Sequence, residues 1–173
     1  MLRILVFGNS GSGKSTFAKN LACLPEVAHL DLDSIAWKPN QPGVRETLHL
    51  SFEAIDTFIS EHSKWVIEGC YSSLLEYAAD SANSMVFLNP GVKACQSNCR
   101  NRPWEPHKYS SPAAQDKNLT MLLDWVASYE SKDDEFSLQQ HQMLFDSFDG
   151  KKYELKSNSE SKELLQSLKS TYG

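Results

Sequence analysis

Proline and glycine are scarce in this chain of 173 residues, at seven and eight, and they punctuate it rather than form a linker. With 40% hydrophobic and 23% charged residues, the composition excludes a disordered, collagen-like or mucin-like protein. Long apolar runs are missing too: Leu2 to Phe7 is closed by Gly8, shorter than a signal-peptide core and far short of a membrane span. A cytoplasmic protein without a membrane partner is expected. Positive charge is in deficit, 17 Lys plus Arg against 22 Asp plus Glu for a net charge of -5. No global field then draws the chain to nucleic acid or anionic lipid, and any bound anion must be held by a local site. Four scattered cysteines, with Cys95 and Cys99 at helical spacing and no second pair, complete no zinc site and read as reduced structural thiols. His29, His49, His62 and His141 show no metal-ligand spacing either.

What is present is an alternation. Leu2 to Phe7 reads as a strand buried on both faces. Lys14 to Leu24 has helical apolar spacing, Val27 to Leu32 is a second strand, and Val44 to His62 carries Leu48, Phe52, Ile55, Phe58 and Ile59 on one helical face. Trp65 to Ile67, a short helix over Leu74 to Ala79, and Met85 to Leu88 continue the order. Strands alternating with covering helices predict an α/β parallel sheet wrapped on both faces. Val92 to Arg102 is predicted helical, and the prolines of Arg102 to Pro112 then exclude helix or central strand. Helices over Asn118 to Tyr129 and Phe136 to Phe148, an exposed fifth strand over Lys152 to Lys156, and a last helix over Glu160 to Leu168 complete the expectation.

Gly8-Asn9-Ser10-Gly11-Ser12-Gly13-Lys14-Ser15-Thr16 satisfies G-x-x-x-x-G-K-[ST] between a predicted strand and a predicted helix, where that motif must sit. Glycines there let backbone N–H groups turn toward a phosphate, and the helix N-terminus adds partial positive charge. Lys14 is placed on the β- and γ-phosphates of ATP, the Ser15 hydroxyl on Mg²⁺, and Thr16 on the α-phosphate. A guanine-reading Asn-Lys-x-Asp is absent, since Asp116-Lys117-Asn118 has the wrong order. Motor and transporter ATPases carry a longer core and an aspartate after four apolar residues, whereas the third strand here ends in Glu68. Small kinases remain.

Asp31 and Asp33 stand at the carboxyl end of the second strand, where open parallel sheets bind ligands. Alternation along a strand would turn both toward one cleft, Asp33 to orient or deprotonate an acceptor hydroxyl and Asp31 to hold Mg²⁺ through water; the bland alternative is that Asp33 caps the turn at Ser34-Ile35. Glu68 and Gly69 are expected in the same crevice on the substrate, with Gly69 allowing close backbone approach. Arg100, Arg102, His107 and Lys108 border the proline-rich segment, a candidate lid that would bring cations to the transferring phosphoryl group. There Arg102 is assigned to catalysis, Arg100 to the nucleotide and Lys108 to the substrate; Lys132 is a weaker candidate. Trp65 and Trp125 read as packing, Trp37 and Trp104 as substrate or base contacts.

The loop Gly8 to Thr16, the string Leu30-Asp31-Leu32-Asp33-Ser34-Ile35-Ala36-Trp37-Lys38-Pro39 and the string Trp65-Val66-Ile67-Glu68-Gly69-Cys70-Tyr71 together resemble the adenylate kinase-related P-loop proteins called DNA topology modulation (FlaR-like) proteins. They are similar more distantly to shikimate and gluconate kinases. The resemblance covers most of the chain, and the acidic-Trp-Lys-Pro string is its specific part. It implies a five-stranded parallel sheet of order 2-3-1-4-5, with one domain over 1–173 and a lid around 102–116, and it implies no particular substrate. Leu88-Asn89-Pro90 stands where many small kinases have Leu-Asp-x-Pro, and the lid lacks the arginine density of nucleoside monophosphate kinases. The expectation is an ATP- and Mg²⁺-dependent phosphotransferase acting on a small-molecule or nucleotide acceptor. A nucleotide-dependent regulatory protein with incidental ATPase activity is the alternative.

Overall fold

Parallel strands β1 (Arg3–Gly8), β2 (Val27–Asp31), β3 (Lys64–Gly69), β4 (Ser84–Leu88) and β5 (Lys151–Leu155) form a sheet of order β2-β3-β1-β4-β5 in the computed structural model, which describes residues 1–41, 43–106 and 109–173. The expected sheet and order are therefore present. Seven helices cover it among the described residues: α1 (Lys14–Leu21), α2 (Leu48–Glu61), α3 (Ser72–Ala79), α4 (Val92–Arg100), α5 (Pro112–Ala127), α6 (Leu138–Ser147) and α7 (Asn158–Tyr172).

The central strands carry apolar residues on both faces, so both are packed. Leu5, Phe7, Trp65, Ile67, Met85 and Phe87 join a core with α2, α3 and α6. Ile4, Val6, Val66 and Val86 point the other way and pack with α1 and α7 residues such as Phe17, Leu21 and Leu168. A third cluster, Cys95, Cys99 and Val126, seals α4 against α5.

Boundaries moved where side chains intervene. The helix expected from Val44 starts at Leu48, capped by Thr47 accepting from Leu50 N. Before it the chain folds back: Glu46 N donates to Ala36 O and Lys38 N to Val44 O, each at 3.0 Å, and Trp37 bridges Arg45 antiparallel. The helix expected from Asn118 starts six residues earlier, because Ser111 caps it through Ala114 N and Pro112 occupies the first turn, where no N–H is needed. Pro112 opens a helix that the proline count alone argued against. Strand β2 stops at Asp31, whose carboxylate accepts from Asp33 N at 2.9 Å and caps a 3-10 turn over Leu32–Ser34. Asp31 and Asp33 thus do not alternate along one strand, and it is Asp31, not Asp33, that caps the turn.

Candidate functional site

The sheet's carboxyl edge gathers the ends of β1, β2 and β3, and the glycine-rich loop rises from β1 there. Its glycines are demanded by geometry. Gly11 has φ +77° and a Cβ on it would lie 2.4 Å from Cys95 O and 2.7 Å from Cys99 Sγ, so the loop presses against α4. Gly13, at φ +97°, faces open space with nothing within 4 Å of a built Cβ. That open side, at the start of α1, is room for a phosphate among backbone N–H groups. Asn9 Nδ2 donates to Val126 O at 3.1 Å and Asn98 Nδ2 to Gly11 O at 2.8 Å, fastening the loop to α5 and α4. Lys14 Nζ donates to Asn9 O at 2.9 Å, folded onto the loop it guards. Ser12 is buried and its hydroxyl lacks a hydrogen-bond partner among the described residues, while Ser10 and Ser15 are half-buried and Thr16 is exposed.

Across from the loop, Tyr71 donates its phenol to Asp33 Oδ1 at 2.5 Å and accepts from Trp37 Nε1 at 2.7 Å. Burial, then the Asp33 charge, raises the Tyr71 pKa, so the phenol stays a donor. Arg45 lies with its guanidinium carbon 4.5 Å from the Tyr71 ring centroid and 5.2 Å from that of Trp37. Its Nη2 contacts Glu135 Oε1 at 3.0 Å, and Ser73 Oγ donates to Glu135 Oε2 at 2.6 Å. Trp37 is 37% exposed. The sequence string that held Asp33 and Trp37 together is thus joined in space by Tyr71.

Other candidates land elsewhere. Glu68 is 1% exposed, with His29 Nε2 3.6 Å from its Oε1, and it follows Val66 on the α1 side of the sheet rather than opening into the cleft. Gly69 is needed for packing: a Cβ there would meet Leu32 side-chain atoms at 2.9 Å. Arg100 is exposed at the end of α4, and Arg102 pairs with Glu105 at 3.1 Å instead of reaching the loop. His107 and Lys108 lie outside the described residues. The proline-rich segment is tied to α5: Gln115 accepts from Glu105 N at 2.9 Å and donates to Pro103 O at 3.2 Å, and Asn118 donates to Tyr109 OH at 3.1 Å.

Trp65 is core as expected, but Trp125 is not. It is 39% exposed, and Lys132 Nζ stands 3.5 Å from its ring centroid. Lys132, only weakly marked in sequence, and Arg45 and Tyr71, unmarked, are the additions the structure makes. Their signal was positional only: Tyr71 closes the quoted third-strand string, and Arg45 follows the Trp-Lys-Pro turn by a few residues. Cys70 registers the convergence. Burial pushes its thiol up to about 12, and Lys14, Asp33, Lys132 and Glu135 all act on it electrostatically.

Among the described residues no cluster of three or more His, Cys, Asp or Glu could hold a metal. The set fits Mg²⁺ in its usual nucleotide-bound form, with few protein oxygens and the rest from phosphates and water. Ser15 opens α1 beside the loop's open side, and Asp31 ends β2 at the same edge of the sheet. No helix among the described residues is long and apolar enough to cross a membrane.

No protein-family model matches the chain, and no curated protein is detectably similar to it in sequence. Solved structures are similar in fold: an unliganded sugar kinase from Janibacter sp. at TM-score 0.53 and 15% identity, over 99% of this chain and 94% of that one. Shikimate kinase from Bacteroides thetaiotaomicron superposes at TM-score 0.57 and 19% identity, over 98% of this chain and 97% of that one. The chain shares the fold of these two kinases. Neither neighbour is described as a topology-modulation protein.

Proposed function

We propose that the chain is an ATP- and Mg²⁺-dependent phosphotransferase that acts on a hydroxyl- or phosphate-bearing small molecule or nucleotide. The observation that carries this reading is the gathering of two groups at the carboxyl edge of one parallel sheet: after β1 a loop with left-handed glycines and Gly13 open, and after β2 an aspartate bound by Tyr71. Kinase neighbours support it as a likeness of fold.

In this reading the backbone N–H groups of Gly11 to Ser15 hold the phosphates, and Lys14 leaves Asn9 O to follow the charge that moves from the γ-phosphoryl group toward the β-bridging oxygen. Ser15 and Asp31 would hold Mg²⁺, which neutralises phosphate charge when bound. Asp33 accepts the proton of the acceptor oxygen as that oxygen bonds to the γ-phosphorus and the bond to ADP breaks. Tyr71, by donating to Asp33, fixes the carboxylate's direction and limits its basicity. Arg102 would act only after leaving Glu105.

The test is transfer of label from γ-labelled ATP into acid-soluble metabolite pools. Labelled organic product above the slow hydrolysis background supports the reading, and release of inorganic phosphate alone from every pool would leave the regulatory alternative in its place.

A further inference from the structure

Asn9 belongs to two sets of contacts at once. Its backbone oxygen accepts from Lys14 Nζ at 2.9 Å and from Ser12 N at 3.2 Å. Its buried side chain donates through Nδ2 to Val126 O, at 3.1 Å, in the last turn of α5. A buried amide is costly without a hydrogen bond, so this side chain is fixed to α5. When Lys14 turns from Asn9 O to a phosphate, Asn9 loses a partner, and the change falls on the residue that holds α5.

The chain that leaves Val126 runs to the other half of the site. It passes through a 3-10 turn, Ser128–Glu130, where Ser128 O accepts from Ser131 N at 3.0 Å and from Lys132 N at 2.9 Å. It enters α6 behind Ser137, which is buried and accepts from Gln140 N at 3.2 Å. Tyr129 and His141, both buried, close this stretch at 2.8 Å, and His141 Nε2 donates to Cys70 O at 2.9 Å. Cys70 precedes Tyr71, whose phenol binds Asp33 and Trp37. Glu135 adds two holds on the following turn: its backbone oxygen accepts from Ser72 N at 3.3 Å and its Oε2 from Ser73 Oγ at 2.6 Å. The His141 ring also meets Phe7, at the root of the loop, edge to face with centroids 5.6 Å apart. Phe136 touches both sides too, ring to ring with Trp125 and Tyr71, but edge-to-face contacts slide more easily than a hydrogen bond to a carbonyl.

We propose, resting on the phosphotransferase reading above, that Asn9 and His141 are positioning residues of the transfer. Through residues 126–141 they tie the phosphate loop to Tyr71, so a nucleotide held by the loop sets the placement of Asp33 and Trp37. Neither residue touches the acceptor: Asn9 acts through Val126 and His141 through Cys70 O.

The experiment follows the indole N–H cross-peaks of the full chain labelled with ¹⁵N, assigned by replacing each of the four tryptophans with Phe. Trp125, next to Val126, reports the loop end, and Trp37, bonded to Tyr71, reports the acceptor end. The probe is a non-hydrolysable ATP analogue with Mg²⁺, its saturation established by calorimetry. In the wild type both cross-peaks should move. Asn9→Ala should reduce both movements. His141→Leu should keep that of Trp125 and cut that of Trp37 at least about twofold, the lower end for coupling carried by contact networks. A glutamine amide can donate to Cys70 O and accept from Tyr129, so His141→Gln should restore the Trp37 movement. Thermal melts accompany each variant, because a general loosening of the fold would alter both cross-peaks alike. If His141→Leu unfolds, Tyr129→Phe, which removes the phenol and keeps the ring, should show the same pattern and decides the matter in its place. A Trp37 cross-peak that stays still in the saturated wild type, or that moves as far in Asn9→Ala or His141→Leu as in the wild type, would overturn the proposal. So would a folded His141→Gln that behaves like His141→Leu. Absence of analogue binding in the wild type is a different result, and it would remove the phosphotransferase reading itself.

Discussion

The Tyr71 hydroxyl sits between Asp33 Oδ1, at 2.5 Å, and Trp37 Nε1, at 2.7 Å. One phenol thereby fixes the carboxylate expected to receive a proton and the indole expected to touch the acceptor. Replacing Tyr71 with Phe should keep the ring packing and the Arg45 stack while removing the phenol's hydrogen bond to Asp33. A hydrogen bond to a charged group contributes about 1.5–3 kcal/mol, and exposure of Asp33 argues for the low end, so a fall of about tenfold in kcat is expected. Nucleotide affinity should not change. An undiminished kcat would show that Asp33 needs no such orientation.

Two glycines of one loop should respond differently to alanine. At Gly11 a methyl collides with Cys95 and Cys99 as well as adopting a left-handed φ, and a loss of roughly 2–3 kcal/mol in urea unfolding is expected. At Gly13 nothing is in the way, so the loss should be about 1 kcal/mol from backbone strain alone. Affinity for ATP should nevertheless fall in Gly13→Ala, because the methyl occupies the space left for phosphate. Equal stability of the two variants would contradict the packing of this loop on α4.

His141 is buried between Tyr129 OH, 2.8 Å from Nδ1, and Cys70 O, 2.9 Å from Nε2. A carbonyl only accepts, so the neutral ring carries its proton on Nε2 and takes the phenol proton on Nδ1. Burial lowers its pKa from 6.5 to about 4. Below pH 6.5 the unfolded chain binds a proton that the folded chain refuses, so this stability is complete above pH 6.5 and is lost as pH falls toward 4. By pH 5 the loss is on the order of 2 kcal/mol. Urea midpoints at pH 7 and 5 should differ less in His141→Gln than in the wild type, even though the variant is less stable at both.

Gln115 binds Glu105 N, Pro103 O and Arg102 O, so the proline-rich segment is fastened to the first turns of α5. The segment should therefore move together with the start of α5. Hydrogen exchange in residues 102–106 should quicken in Gln115→Ala and slow on adding an ATP analogue with Mg²⁺. Exchange indifferent to both would make the segment a fixed wall and remove Arg102 from any closing role.

The strands and the glycine-rich loop were legible because they rest on local signals, short apolar runs and one motif at a strand–helix junction, whereas the strand order followed only from the resemblance of the quoted strings to a known family. Asp33 and Trp37 were legible for the same reason, lying in one string. Tyr71, Arg45 and Lys132 were not, since a tyrosine after a strand and cations in turns have no periodicity, and only the closing of the chain brings them to Phe136. Glu68 looked like a cleft residue because strand ends usually are. The side it faces was decided by alternation from Val66, which packs under α1. Asp31 and Asp33 misled in another way: their spacing of two suggested one strand face, but an aspartate that accepts from the N–H two residues on ends a strand.

The most direct measurement is ATP turnover and ATP-analogue binding in Lys14→Ala, with the urea midpoint measured alongside. Lys14 is half-buried and its amine bonds only its own loop, at Asn9 O, among the described residues, so folding should be little affected. Phosphoryl transfer should fall by at least about 100-fold, near 3 kcal/mol of barrier, as expected when a cation is removed from the transferring group. A Lys14→Ala protein that binds and turns over ATP like the wild type would contradict the placement of the site.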